Sequence, residues 1–239
     1  MMKEREGNLR TLGVLGGMGV EATIAFMQRV HAKTLATDDS DHVPMIVALN
    51  PQVPSRIRHL IEKSGPNPGP VLGDMAAMLE NAGAQALVMP CNTAHHYAQN
   101  ILDRVGIPLL NMPELACARI AQSLPSKASV GILASPATNS TGLFDAMLAQ
   151  VGLQALFPDD EAPLLALIRS IKKCGPQPGD ATLLQTESEK LVQRGASAIL
   201  VGCSEFSLLS DAISPTVPLL DTLDVIVDAS IAFAGALHK

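Results

Sequence analysis

The feature that most limits what this chain can fold into is that it repeats itself. LGVLGGMG at 12–19 resembles VGILASPA at 130–137, GAQALVMPCNT at 83–93 resembles GASAILVGCSE at 195–205, and IPLLN at 107–111 resembles VPLLD at 217–221. The offsets are 118 residues from Gly13 to Gly131, 112 from Cys91 to Cys203 and 110 from Ile107 to Val217. Three matches in one order at nearly constant offset predict two similar halves related by a pseudo-twofold axis. Within each half, strand-sized apolar runs (TLGVLG, MIVALN, AQALVMP, IPLLN; then SVGILA, SAILVG, VPLLD) alternate with segments of helical spacing such as EATIAFMQRVHAKTLA and ATLLQTESEKLVQRG. Such alternation implies an α/β protein with mostly parallel sheets flanked by helices. The expected domains are 1–112 plus 222–239, the last segment returning as a helix to the first half, and 113–221.

Composition narrows the function classes. With 239 residues, 47% of them hydrophobic, the chain can bury a sizeable core. A net charge of −6 disfavours nucleic-acid and membrane-surface partners. The apolar runs are strand-sized and so too short to span a bilayer. MMKEREGNLR lacks the apolar stretch of a secretion leader, so the expected location is the cytoplasm. The four cysteines (Cys91, Cys117, Cys174, Cys203) are far apart and form no CxxC pair, which supports neither a metal site nor a disulfide framework.

The repeat changes the meaning of Cys91 and Cys203. A single buried cysteine is usually a small hydrophobe. Here two end corresponding strands, and α/β sheets bind ligands beyond the carboxyl ends of their strands. If the halves face each other, two thiols approach one cleft from opposite sides. Racemisation needs that arrangement: a base takes the α-proton from one face and an acid returns one to the other. Asn92-Thr93 and Ser204-Glu205 read as helix starts, so each thiol is expected near a helix dipole that favours thiolate.

LGGMGVEAT at 15–23, NPQVPSR at 50–56, PCNTAH at 90–95 and GCSEFSLL at 202–209 are together similar to the aspartate/glutamate racemase family, in particular its cofactor-independent aspartate racemase branch. The resemblance covers almost the whole chain. It implies two pseudo-symmetric α/β domains, commonly a homodimer, and acid/base chemistry by Cys91 and Cys203 on an acidic amino acid, with neither metal nor organic cofactor. By the same resemblance Arg56 pairs with the distal carboxylate of the substrate, as a planar guanidinium suits. Lys172, with Lys173 in reserve, adds a second positive charge, and Ser135 and Thr138 lie near the bound carboxylate. The backbone and hydroxyl groups of Asn92, Thr93, Ser204 and Glu205 are placed to hold the α-carboxylate and the developing enediolate. Helix capping is the competing role for these hydroxyls.

Gly17-Met18-Gly19-Val20-Glu21-Ala22 also fits the dinucleotide fingerprint GxGxxA, whose acidic partner could only be Asp38, Asp39 or Asp41. A turn in which Gly17 and Met18 line the racemase cleft is the preferred reading. Three departures from the family pattern stand out: Val20 where proline is common, Ser204 for threonine, and an extra residue in LIRSIKKCG at 167–175. The role of His95 is open, a Cys91–His95 nucleophile pair being its rival use, and Cys117 and Cys174 are read as structural or incidental. Competing functions are a related enzyme on another acid (maleate isomerase, hydantoin racemase, arylmalonate decarboxylase) or a non-catalytic amino-acid- or nucleotide-binding module.

Overall fold

The computed structural model describes residues 8–239; residues 1–7, on which the expectation of no leader largely rests, lie outside the described residues. The first half comprises β1 (Leu12–Gly16), α1 (Val20–Lys33), β2 (Met45–Leu49), α2 (Arg56–Leu60), α3 (Gly69–Asn81), β3 (Ala86–Val88), α4 (Ala98–Leu102) and β4 (Leu109–Leu110). After α5 (Met112–Ala121), the second comprises β5 (Ser129–Ala134), α6 (Pro136–Ser140), α7 (Leu143–Gln150), β6 (Gln154–Leu156), α8 (Ala162–Cys174), α9 (Asp180–Gln193), β7 (Ala196–Gly202) and β8 (Leu219–Asp221), followed by α10 (Thr222–Ala234). The sheets are four-stranded and parallel, ordered β2-β1-β3-β4 and β6-β5-β7-β8. Element for element, one order repeats the other. The strand β6 that completes the second sheet carries no signal of its own: QAL is three residues long and lies on an edge.

The repeat has a packing cause that can be followed residue by residue. A Cβ added at Gly13 would lie 2.8 Å from Ala84 Cβ, 2.9 Å from Leu87 Cδ2 and 3.1 Å from Leu79 Cβ. One added at Gly131 would lie 2.7 Å from Ile199 Cδ1, 3.0 Å from Leu191 Cβ and 3.2 Å from Ala196 Cβ. Each neighbour of Gly131 stands 112 residues after its counterpart at Gly13. In both halves the central strand lacks a side chain where the helix before the next strand presses onto the sheet.

The helices that follow the two edge strands are exchanged. Asn111 caps α5 by accepting from Glu114 N, and Asp221 caps α10 by accepting from Leu223 N. The α5 residues Ala116, Cys117 and Ile120 pack with Phe144 and Leu148 of α7 in the second half. Those of α10 (Leu223, Ile226, Val227, Ile231) pack with Phe26 and Val30 of α1 in the first half. Burying a side chain of this size is worth roughly 1.5–3 kcal/mol, so the crossed helices join the halves firmly. The helix α10, which packs on α1, stops at Ala234 rather than running to residue 239. Gly235 takes φ +79°, a left-handed helix stop. The last residues then run beside the end of α1, with Leu35 N donating to Leu237 O at 2.7 Å.

Candidate active site

Parallel sheets present the carboxyl ends of their strands on one side, and here the two halves turn those ends toward each other. β1 runs into Gly17–Gly19, β3 into Cys91, β5 into Ser135 and β7 into Cys203. All of these residues line one cleft of about 300 Å³. Cys91 and Cys203 are 6% and 5% exposed, and both line the cleft.

Glu205 organises the charge around Cys203. Its Oε2 accepts from the Cys203 thiol at 3.1 Å, and its Oε1 forms an ion pair with Lys172 Nζ from the last turn of α8. Burial pushes the Cys203 thiol well up, and the neighbouring Glu205 carboxylate pushes it further. Cys203 is therefore a protonated donor in the free protein. Burial opposes the charge on Lys172, but Glu205 and the nearby thiols outweigh it, so the ammonium is held charged. The expected thiolate-favouring helix start is not present. Cys91 and Cys203 are each followed by a short 3-10 turn, at 93–97 and 206–208, and neither Asn92 nor Glu205 makes a side-chain cap.

Arg56, at the start of α2, also lines the cleft. Its Nη1 donates to Pro54 O at 3.0 Å and Val53 O at 3.4 Å, and its Nη2 to Met18 O at 3.3 Å. Backbone carbonyls thus orient the guanidinium without neutralising it, and no carboxylate pairs with it among the described residues. The neighbouring Gly17 has φ +94° and sits where a Cβ would meet the Asn50 backbone at 2.4 Å, so only glycine fits this turn.

Of the residues expected at the site, Cys91, Cys203, Gly17, Met18, Arg56, Thr93, Ser135, Lys172 and Glu205 line the cleft. Asn92, Thr138 and Ser204 do not; all three are buried. The Asn92 amide donates to Thr222 Oγ1 at 2.9 Å, and the Thr138 hydroxyl to Ser135 O at 2.7 Å, so both side chains are engaged inside the fold. Lys173 is exposed and away from the cleft, which leaves Lys172 as the lysine of the pair that reaches it. Ser135 lines the cleft and also caps α6, its Oγ accepting from Ala137 N.

His95 is not paired with the Cys91 thiol. Its Nε2 accepts from Met112 N at 3.2 Å, which leaves the proton on Nδ1, 2.9 Å from Cys91 O. Burial lowers its pKa to about 4, so the ring is neutral and braces the cysteine loop against the start of α5. The dinucleotide reading also loses its acidic partner. Asp38 and Asp41 form a capping box on a 3-10 turn at 39–41, and Asp41 also accepts from Thr37. Cys117 is buried against α7, its thiol pushed up to about 12 by burial.

Sequence reasoning missed Glu21, Ser55 and Ile168, which also line the cleft. Glu21 stands in the LGGMGVEAT motif and Ser55 beside Arg56, so proximity to known motifs was their only signal. Ile168 has a clearer one, lying a single helical turn before Lys172.

The comparisons agree with this fold. The family model described as Asp/Glu/Hydantoin racemase matches residues 15–230. The broad specificity amino-acid racemase RacX of Bacillus subtilis is 26% identical over 216 residues, 88% of this chain and 92% of that one. A glutamate racemase of Pseudomonas entomophila is 25% identical over 242 residues, covering 95% of this chain and 80% of its own. Among solved structures, Picrophilus torridus aspartate racemase superposes with a TM-score of 0.81 at 25% identity, covering 96% of each chain. A fold built twice over and a family match over nearly the full length lead to one statement: this chain belongs to the Asp/Glu/hydantoin racemase family.

Proposed function

We propose that the protein racemises an acidic amino acid, L-aspartate to D-aspartate with glutamate as the related substrate, by two-base proton transfer between Cys91 and Cys203. The observation that carries the reading is the arrival of both thiols in one cleft, from equivalent strands of opposed halves. The α-carbon lies between the sulfurs. For one enantiomer the Cys91 thiolate removes the α-proton while Cys203, held as S–H toward Glu205, delivers its proton to the opposite face. The step leaves Cys91 protonated and Cys203 as thiolate, which is the starting state for the other enantiomer. Lys172, charged and close to the thiols, steadies that thiolate. Thr93, Ser135 and adjacent backbone donors receive the α-carboxylate and the enediolate charge, and Arg56 receives the side-chain carboxylate. Neither a metal nor an organic cofactor enters the proposed step, and a cytoplasmic homodimer is the proposed form.

One observation favours a wider substrate range. Of the two cations on the cleft wall, Lys172 is already paired with Glu205, and Glu21 brings a second carboxylate, so the formal charges of these four side chains cancel. A cleft so balanced discriminates less strongly for a diacid, and RacX carries broad specificity in its name. Chiral chromatography of L-aspartate, L-glutamate and a panel of neutral L-amino acids tests both readings. Turnover of the two diacids above all others supports the acidic preference. Equal turnover of neutral substrates replaces it with broad specificity, and no turnover of any amino acid refutes the proposal.

A further inference from the structure

The two strand ends that carry the thiols are joined through a single buried hydroxyl. Thr222, the first residue of α10, is fully buried. Its Oγ1 donates to Val201 O at 2.9 Å, two residues before Cys203, and accepts from Asn92 Nδ2 at 2.9 Å, the residue after Cys91. The hydroxyl has one proton and it goes to Val201 O. The oxygen can then only accept, which fixes the Asn92 amide as the donor. The chain Cys91–Asn92···Thr222···Val201–Gly202–Cys203 therefore links the two strand ends through buried residues throughout.

Thr222 corresponds in the repeat to Met112, offset by the same 110 residues as Ile107 and Val217. Met112 uses its backbone N–H on His95, which bonds Cys91 O within the first half. That side fixes the Cys91 loop locally; only the Thr222 side ties one thiol-bearing strand end to the other. We infer that Thr222 is a positioning residue that sets the separation of Cys91 and Cys203. The inference rests on the two-thiol reading above. Two-base transfer is sensitive to this separation, because a misplacement of about 1 Å can cost about a hundredfold in rate. A buried link of two hydrogen bonds resists such drift: Thr222 Oγ1 is the partner of Asn92 Nδ2, and Asn92 Oδ1 has none, so breaking the link leaves the whole buried amide unpaired.

The test replaces Thr222 by Val, which keeps the shape and removes the hydroxyl, and by Ser, which keeps the hydroxyl. Racemisation of aspartate is followed in D2O, recording kcat, KM and deuterium in each enantiomer. The expected result for Thr222→Val is a loss of kcat of about tenfold or more with KM changed little. Deuterium in recovered substrate should rise relative to inverted product, because one thiol still exchanges while the second no longer returns a proton to the far face. Thr222→Ser should restore both values. If Thr222→Val folds poorly, Thr222→Ala is expected to give the same split. Wild-type kcat and deuterium ratio in a variant that only melts earlier would overturn the inference.

Failure of the functional reading shows separately, as absence of turnover in the wild type. The positioning claim is then decided by a short bis-alkylating reagent and peptide mapping. Fewer Cys91–Cys203 bridges in Thr222→Val than in wild type or Thr222→Ser sustain it. Equal bridging overturns it.

Discussion

Asp221 is where an electrostatic prediction can be worked most fully from the structure. Its carboxylate, on a side chain 2% exposed, accepts from Arg29 Nη1 at 2.7 Å, Ser207 Oγ at 2.6 Å, Ser210 Oγ at 2.9 Å and Leu223 N at 2.9 Å. Arg29 lies on α1 in the first half and also donates to Ser207 O, while Ser207 N donates to Cys203 O at 3.1 Å. One carboxylate thus holds the first half, the cap of α10 and the turn after Cys203. Asp221→Ala removes the cap, worth about 1 kcal/mol, and strands a largely buried guanidinium, a loss of about 3–5 kcal/mol for a buried pair. Arg29 keeps Ser207 O and a 3.3 Å contact with Asp224, which offsets part of that loss. The expected destabilisation is therefore about 3 kcal/mol by urea denaturation, with Asp221→Asn intermediate because the amide keeps an oxygen for the cap. Thermal melting of the same variants should give the same order. A loss under about 1 kcal/mol for Asp221→Ala would show that the cluster behaves as an exposed ion pair, and would refute the reasoning.

His95, neutral with a folded pKa of about 4, binds its proton more weakly than the unfolded chain at about 6.5. Its contribution to stability is whole above pH 6.5 and is lost as pH falls to about 4, a change of about 3 kcal/mol. Denaturation from pH 7 to 4 should show a steeper decline in wild type than in His95→Gln, and parallel profiles would contradict the assignment. Glu205→Gln removes the carboxylate that adds to burial in holding the Cys203 thiol protonated. Iodoacetamide should then alkylate Cys203 faster at fixed pH, with the alkylation profile moved to lower pH; an unmoved profile would exclude a contribution from Glu205. Arg56→Ala should raise KM for aspartate about 10- to 100-fold, the worth of a charge-assisted hydrogen bond, while neutral amino acids are little affected. Lys173→Met should leave KM unchanged, whereas Lys172→Met should not.

The pseudo-symmetric plan was legible because the same packing problem is solved twice. Gly13 and Gly131 recur since each faces a helix pressed onto a central strand, and Cys91 and Cys203 recur since each ends the next strand over. The helix α8 is legible too, from Leu164, Leu167, Ile168 and Ile171 at helical spacing, though attention to its lysines alone overlooks it. Strand β6 was not, for an edge strand of three residues needs little apolar pattern of its own. At the site, Cys91, Cys203, Arg56 and Lys172 were legible from their motifs, but Glu21, Ser55 and Ile168 were not singled out, and the partners of the polar atoms were not legible. Asn92 reads as a ligand or a cap and bonds Thr222, 130 residues away. Glu205 reads as a helix start and instead bridges Cys203 to Lys172, a residue on another helix. Long-range hydrogen bonds of this kind leave no mark in local spacing.

The most direct test of the two-thiol account is deuterium exchange at the α-carbon of pure L-aspartate and pure D-aspartate in D2O, with wild type, Cys91→Ala and Cys203→Ala. The account predicts inversion with deuterium uptake in the wild type and no inversion in either variant. Each variant should still exchange the α-proton of one enantiomer, and the two variants should exchange opposite ones, because each retains a thiol on a different face. Continued inversion by either variant, or exchange of the same enantiomer by both, would contradict it.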